Sequence, residues 1–238
     1  MAYAAAGENQ FKDFHVQAGE LSELDIARSE LTDEVRHMIR EIISTRASPN
    51  AIRSVRDQVR QALQVLTSGE HSAGREISEA ALGPATPSFL TRSPVVGSVN
   101  ALAVPLTMRV VQEGREAIAE GRVTFTDPYE GPPACVHGGF ISCVFDEVLG
   151  VAQSASGNPG MTVNLTVDYR SPTPLHQELI FRGWCESIVG RKIHTRGTLH
   201  HGQTLCAEAT ALFVSLRPEV FDQLIAMRDD LGGSDSQR

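Results

Sequence analysis

The residues whose types could carry chemistry cluster near the middle of the chain. His137, Gly138 and Gly139 stand in a row, and Asp146 follows nine residues after the histidine. If the glycines open a helix, its first turn presents unpaired backbone N–H groups at the positive end of the helix dipole, and glycine allows close approach. Such donors could stabilise negative charge that develops on a carbonyl oxygen. The alternative is that the glycines only allow tight packing where the chain turns into the helix.

Asp146 lies in a segment that is otherwise almost wholly apolar. It and Glu147 are the only charged residues between His137 and Ser154. Because an unpaired buried carboxylate is costly, we expect such a residue to be partnered, protonated or catalytic. The alternative is that Asp146 points to solvent, or to a polar partner at a subunit contact.

The spacing of these residues adds a geometric argument. Gly138 and Asp146 are eight residues apart, which is about 12 Å along a helix. A reacting carbonyl has to lie about 3 Å from both its oxyanion donors and its attacker, so one short carboxylate on the same helix hardly closes the gap. Two antiparallel helices from two subunits would bring Gly138 of one beside Asp146 of the other. The assignment therefore predicts a homodimer or a dimer of dimers.

The N-terminal part is predicted to be helical. From about Glu20 to Leu66 the chain is rich in charge and contains no glycine, and apolar residues recur at three- and four-residue steps. Ser48-Pro49-Asn50 is a break that can cap a second helix. We therefore expect a helical hairpin at residues 1–68. The glycines and prolines of residues 69–97 predict a linker that runs over a surface.

The C-terminal half is predicted to be an antiparallel sheet with one helix. Alternating strands are expected around Leu106–Val110 and Ala117–Phe125, and a helix from about His137 to Ser154 is apolar over most of its circumference, as a buried helix is. Further strands, joined by short glycine-containing turns that predict hairpins, are expected at Met161–Arg170, Glu178–Val189, Lys192–His201 and Thr204–Leu216. The fold class is thus α+β, with the sheet wrapped around the helix. This domain is expected at 98–217, followed by a polar tail at 218–238.

The overall composition limits the classes of partner. The net charge is −8, which argues against general affinity for nucleic acid or an anionic membrane but not against an anionic small ligand. No apolar run of about 18 residues predicts a membrane span. The four cysteines form no CxxC pair, and no Cys/His spacing suits zinc. With no signal-peptide pattern, we expect a cytoplasmic protein without a metal site.

Three segments resemble a known family. The stretches that carry the resemblance are GPPACVHGGFISCVFDEVLG, MTVNLTVDYRSPTPL and VGRKIH. They are similar to the hotdog-fold acyl-CoA thioesterases, and within them to the branch of phenylacetate-pathway and mitochondrial thioesterase-superfamily proteins. The resemblance covers about Val99 to Leu216. It implies a hotdog fold and an enzyme that hydrolyses acyl-CoA without a cofactor, and it does not account for the N-terminal helices.

The resemblance also implies roles for the clustered residues. Asp146 would be the general base that activates water, or the nucleophile that forms a mixed anhydride. Gly138, helped by Gly139, would donate its backbone N–H to the thioester oxygen. His137 would orient the loop or contact substrate. Thr162 matches a hydroxyl position that holds the water or the carboxylate, with ordinary strand propensity as the alternative reading.

Recognition of CoA is expected to use positive groups near the site. By the same resemblance, Arg170 and the Gly190-Arg191-Lys192 hairpin stand where the family holds nucleotide phosphates. Arginine suits bidentate phosphate contacts and lysine supplies a point charge. Asp168 falls at a ligand-lining position where relatives often carry a neutral amide. The alternative for Arg191 and Lys192 is a solvated hairpin tip.

Two other functions compete with the thioesterase. One is a sensor that binds acyl-CoA without cleaving it and uses the N-terminal helices on DNA. Between Glu20 and Leu66, seven arginines stand against eight carboxylates, and a nearly neutral element fits phosphate contact poorly. The other is a hotdog hydratase or dehydratase, which pairs a histidine with a carboxylate and has different motifs.

Overall fold

One antiparallel sheet dominates the computed structural model, which describes residues 22–69, 91–114, 116–155, 160–215 and residue 223. Its strand order is β1-β2-β4-β5-β6-β3, so β1 and β3 form the two edges. The strands are β1 (Thr107–Glu113), β2 (Glu116–Thr124), β3 (Gly160–Tyr169), β4 (Glu178–Val189), β5 (Lys192–His201) and β6 (Thr204–Ser215). The predicted strands are confirmed, two of them at the predicted bounds.

Tight turns set the register of the last three strands. Gly190 and Gly202 have φ angles of +61° and +55°, a left-handed conformation that glycine adopts without steric cost. They connect β4 to β5 and β5 to β6, as the hairpin prediction required. The meander thereby places β6 between β5 and the edge strand β3.

A single long helix, α3 (Gly138–Ala155), packs on one face of this sheet. Its Phe145 ring meets Phe181 of β4 edge to face, with centroids 5.0 Å apart, and both side chains are fully buried. Glycine lets the helix approach closely, because a Cβ at Gly183 would lie 3.0 Å from Val148 Cγ1. The predicted α+β arrangement, a sheet wrapped around one buried helix, is confirmed.

Two further helices precede the sheet domain: α1 (Glu23–Ser44) and α2 (Pro49–Thr67). Serine side chains at positions 22 and 48 cap them by accepting backbone N–H groups. Both helices were predicted, but they do not pack side by side as a hairpin. Thr45 and Ser48, at the two ends of the connection, are both extended, with ψ angles of 141° and 152°.

The first of these helices is anchored to the sheet domain through its polar side. Arg36 Nη2 donates to the carbonyl oxygens of Gly97 and Asn100, each at 2.8 Å, and Thr32 is buried. The helix also contacts the short 3-10 helix Asp127–Tyr129. Hydrogen bonds from Arg36 therefore help to fix the orientation of α1, together with its packing on the 3-10 helix.

The segment before β1 corrects part of the linker prediction. Residues 70–90 lie outside the described residues, but Thr91, Ser93, Val95 and Val96 are buried. Ser93 Oγ accepts the N–H groups of Val95 and Val96, which turns the two valines into the core cluster. Residues 91–97 thus belong to the folded domain. The predicted tail at 218–238 lies outside the described residues, apart from residue 223, and the proposed domain limits stay predictions.

No helix within the described ranges is both long enough and apolar enough to cross a membrane.

Candidate active site

His137 caps the N-terminus of α3. Its N–H donates to Tyr129 O at 2.8 Å, and its carbonyl accepts the N–H of Phe140 at 3.0 Å. Its side chain turns back, so that Nδ1 accepts the N–H of Gly139 at 3.0 Å. The imidazole therefore occupies one of the two donors that the sequence had grouped together. Among the described residues, no acceptor takes the N–H of Gly138, which leaves it available to a ligand.

Tyr169, which the sequence reading missed, holds the same glycine from its other side. Its hydroxyl donates to the Gly138 carbonyl at 2.8 Å, and Ser142 Oγ donates to that oxygen at 3.1 Å. A Cβ at Gly138 would lie 3.0 Å from the tyrosine oxygen. The peptide unit is thus clamped between the helix and the end of β3. No local pattern signals this contact, because it joins residues 31 apart in the chain.

Asp146 and Thr162 meet at the opposite end of β3. Thr162 Oγ1 donates to Asp146 Oδ1 at 2.9 Å, and both residues are exposed in the single chain. A bulge in the β3–β6 pairing lies here, because Thr162 pairs with Phe213 and Asn164 with Leu212, which leaves Val163 as the extra residue. Bulges re-aim side chains. The structure therefore brings these two predicted residues together, and among the described residues none forms a hydrogen bond with Oδ2 of the carboxylate.

The shielded carboxylate on α3 is Glu147 rather than Asp146. Burial, and to a lesser extent the charge of Asp146, raises the pKa of Glu147 to about 7. In the single chain Asp146 is exposed and has Thr162 as its hydrogen-bond partner, and its catalytic role stays a prediction. The costs expected for a buried acid apply to its neighbour.

Arg170 and Asp168 lie together at the Tyr169 end of β3. The guanidinium of Arg170 contacts Glu208 Oε1 at 2.6 Å and Asp168 Oδ2 at 3.6 Å. Its charge is thus already met by carboxylates. A phosphate would have to compete with Glu208 for this guanidinium.

Arg191 and Lys192 lie at the other end of the sheet. Both are exposed, and neither pairs with a carboxylate within the described part of the chain. Lys192 pairs with Val214, which pairs in turn with Met161 at the start of β3. At about 3.3 Å per residue, roughly 30 Å separates them from Arg170 along the strand direction. One chain therefore does not bring the predicted phosphate ligands together.

An open cavity of about 490 Å³ lies elsewhere, on the face of the sheet turned away from α3. Glu113, Arg182, Trp184 and His200 are among its lining residues, and none of the predicted site residues is. Arg182 forms an ion pair there with Glu113. The cavity thus has no connection with the helix start or with Asp146.

The chain is similar to known proteins over this region and beyond it. The model of the thioesterase superfamily matches residues 135–208. Acyl-coenzyme A thioesterase THEM4 of Xenopus laevis is 43% identical over 94 residues, 38% of this chain and 42% of the relative, and that of Mus musculus is 37% identical over 92 residues, 38% and 40%. The chain therefore spans about two fifths of the length of these relatives. A crystal structure of a thioesterase superfamily protein is 33% identical, with a TM-score of 0.70, and the match covers 84% of this chain and 99% of that one.

The raised pKa of Glu147 predicts a pH-dependent stability. A carboxyl whose pKa is higher in the folded state contributes stability that is complete below its ordinary value of 4.5 and is lost as the pH rises through about 7. The variant Glu147→Gln should not show this loss, so relative to wild type it should gain about 1–3 kcal/mol of unfolding free energy between pH 5 and pH 8. Urea unfolding across that range measures it. Glu116→Gln, at an exposed strand end, serves as the control. If the unfolding free energy changed equally with pH in wild type and Glu147→Gln, the prediction would be contradicted.

Proposed function

We propose, because this chain belongs to the thioesterase superfamily, that it hydrolyses acyl-CoA thioesters to a free carboxylic acid and coenzyme A. The curated relatives are named acyl-coenzyme A thioesterases. The residues matched by the family model, 135–208, include Gly138, Asp146 and Thr162. The observation that carries the proposal is chemical: one free backbone donor and one hydroxyl-held carboxylate lie on a single buried helix.

In the proposed mechanism the Gly138 N–H binds the thioester oxygen. This donor lies at the positive end of α3 and is held in place by Tyr169 and Ser142 on the carbonyl of the same residue. A preorganised donor stabilises the charge that develops on the oxygen as the carbonyl carbon is attacked. His137 contributes indirectly, by capping the helix start through Gly139.

Asp146 is the residue that activates the attacking water or attacks the carbonyl carbon itself. Thr162 holds Oδ1, and Oδ2 removes a proton from a water molecule whose oxygen bonds to the carbonyl carbon. The tetrahedral intermediate then collapses, the carbon–sulfur bond breaks, and the CoA sulfur leaves with a proton. In the alternative, nucleophilic mechanism, Oδ2 itself bonds to the carbonyl carbon, and the CoA thiol is released. The resulting mixed anhydride is then hydrolysed by water. Both routes need the same two groups on opposite sides of one carbonyl.

That requirement implies two chains. The helix separates Gly138 from Asp146 by about 12 Å, and the two contact opposite ends of β3, at Tyr169 and Thr162. β3 is an edge strand with exposed apolar side chains, including Met161 and Val163, and such an edge favours pairing with another strand. Antiparallel pairing with a second copy about a two-fold axis would set the Tyr169 end of one strand beside the Thr162 end of the other.

The same pairing would assemble the groups proposed to bind CoA. Arg170 and Asp168 would lie near the partner's Arg191, at the tip that Gly190 allows to turn. Arg191 and Lys192 are the better phosphate ligands, because they carry no carboxylate partner within the described residues while Arg170 does. We therefore assign the nucleotide phosphates mainly to the hairpin.

The assignment of Asp146 is tested by an isosteric substitution. Asp146→Asn should keep the fold and lower kcat by about 10²-fold or more, because the amide neither accepts the proton nor attacks. Release of free thiol from a panel of acyl-CoA esters measures turnover. Glu147→Gln is the matched control on the neighbouring residue and should retain turnover. Near-normal kcat in Asp146→Asn, or loss confined to Glu147→Gln, would refute the assignment.

The role of the hairpin is tested by substrate truncation. Replacing both Arg191 and Lys192 by Ala should raise KM for CoA esters about tenfold or more, since hydrogen bonds to charged groups contribute about 1.5–3 kcal/mol. Small thioesters without the nucleotide should be unaffected. Arg196→Ala, an exposed arginine on β5, is the control. An equal rise for both substrate classes would remove the phosphate-binding role.

A further inference from the structure

The two N-terminal helices present their apolar faces to solvent. On α1, Leu24, Leu31 and Ile42 are 58%, 46% and 66% exposed. On α2 the whole apolar stripe is exposed or half-buried, and the helix has no extensive packing contact with another described element. The exposed large apolar side chains of the two helices are Leu24, Ile26, Leu31, Ile39, Ile42, Ile43, Ile52, Val55, Leu63, Val65 and Leu66. Exposed apolar patches of this extent mark interaction surfaces.

The way in which α1 is attached keeps its apolar face outward. Thr32 and Arg36 face the sheet domain, and Arg36 donates to two backbone carbonyls. The apolar positions follow one another at three-, four- or seven-residue steps on a different face: Leu24, Leu31, Val35, Met38 and Ile42. Val35 and Met38 are half-buried, whereas the other three are exposed. This spacing is that of a helix that packs against another helix. The anchoring therefore leaves most of this packing face, at Leu24, Leu31 and Ile42, uncovered by the described part of the chain.

The second helix carries a matching stripe and the opposite charge. Ile52, Val55, Val59, Leu63 and Leu66 recur at three- and four-residue steps. α2 has three arginines and one aspartate, whereas α1 has six carboxylates and three arginines. At about 1.5 Å per residue, the helices are about 28 and 33 Å long. The two helices thus have similar lengths, each carries an apolar stripe, and their net charges are opposite in sign.

We propose that these helices are exchanged between two copies of the chain, with α1 of each copy packed against α2 of the other. The two helices of one chain do not pack against each other, and the connection between them is extended at Thr45 and Ser48. A second copy supplies both missing faces at once, and the two contacts are equivalent about a two-fold axis. Exchange of an element with a partner is a low-cost route to such an assembly.

The charges favour a second copy over a lipid surface. Interfacial helices that bind anionic membranes carry excess Lys and Arg on their polar face. Arg53, Arg56 and Arg60 fit that description, but the carboxylates of α1 give the neighbouring helix a net negative charge. An anionic surface would repel α1 while it attracted α2. In the helix exchange, the negative α1 of one copy lies against the positive α2 of the other, so both helices meet a favourable charge.

Disulfide trapping tests the proposal on the full chain. Ile42→Cys and Ile52→Cys are placed together, one on each stripe next to the connection. Under mild oxidation most of the protein should become a covalent dimer, at least about fivefold more than in a control pair that combines Ile42→Cys with Gln58→Cys on the polar face of α2. The wild type, with its native cysteines, is oxidised alongside. Non-reducing electrophoresis and mass spectrometry measure the product.

Further experiments distinguish a second copy of the chain from a membrane as the partner of these helices. Adding Leu63→Asp should abolish the excess of covalent dimer, whereas Gln61→Asp should leave it unchanged. A disulfide closed within one chain, or a dimer yield equal to that of the control pair, would overturn the proposal. So would binding to phosphatidylserine-containing vesicles that suppresses the cross-link, since the helices would then serve a membrane. The readout is covalent mass, so it is independent of thioesterase turnover.

Discussion

The packing of α3 against the sheet is the constraint on which the candidate site depends. Phe145 and its neighbours lock the helix to β4, and glycine at position 183 lets the two approach closely. In an α-helix each residue advances about 1.5 Å along the axis, and Asp146 lies near the middle of α3. Gly138 and Asp146 are consequently fixed about 12 Å apart, each tied to a different end of β3. Chemistry that needs both groups at one carbonyl then requires a second chain.

Much of this arrangement could be predicted from the sequence, because it depends on local patterns. Alternating residues and glycine turns define β4 and β5, and an apolar run defines α3. The pattern did not show which acid is shielded, because a helix that is apolar nearly all round does not reveal which face meets the sheet. Burial selected Glu147, not Asp146. The bulge at Val163 and the contact of Tyr169 with Gly138 depend on residues far apart in the sequence. A local sequence pattern therefore could not predict them.

For the N-terminal helices too, local patterns predicted the elements but not how they pack. Their periodicity predicted two amphipathic helices correctly, and a hairpin was the natural arrangement for two such neighbours. The anchoring of α1 depends on backbone carbonyls at Gly97 and Asn100, more than sixty residues away in the chain, which periodicity does not reveal. Edge strand β3 and the two helices thus leave separate apolar surfaces for a second copy. Self-association would complete both the catalytic centre and the helical extension.

Complementation between two inactive chains tests the shared site most directly. Asp146→Asn removes the attacking group, and Gly138→Pro removes the backbone donor at the first helical position, which suits the proline ring. Because a Cβ at residue 138 would lie 3.0 Å from Tyr169 Oη, Gly138→Pro enters the test once its unfolding transition and its dimerisation match those of the wild type. The two variants, carrying different tags, are co-expressed and purified through both tags, so that only mixed dimers remain. If each site combines Gly138 of one chain with Asp146 of the other, every mixed dimer holds one intact site and should show about half of wild-type turnover. Turnover no higher than that of the two parent variants would contradict a site shared between chains.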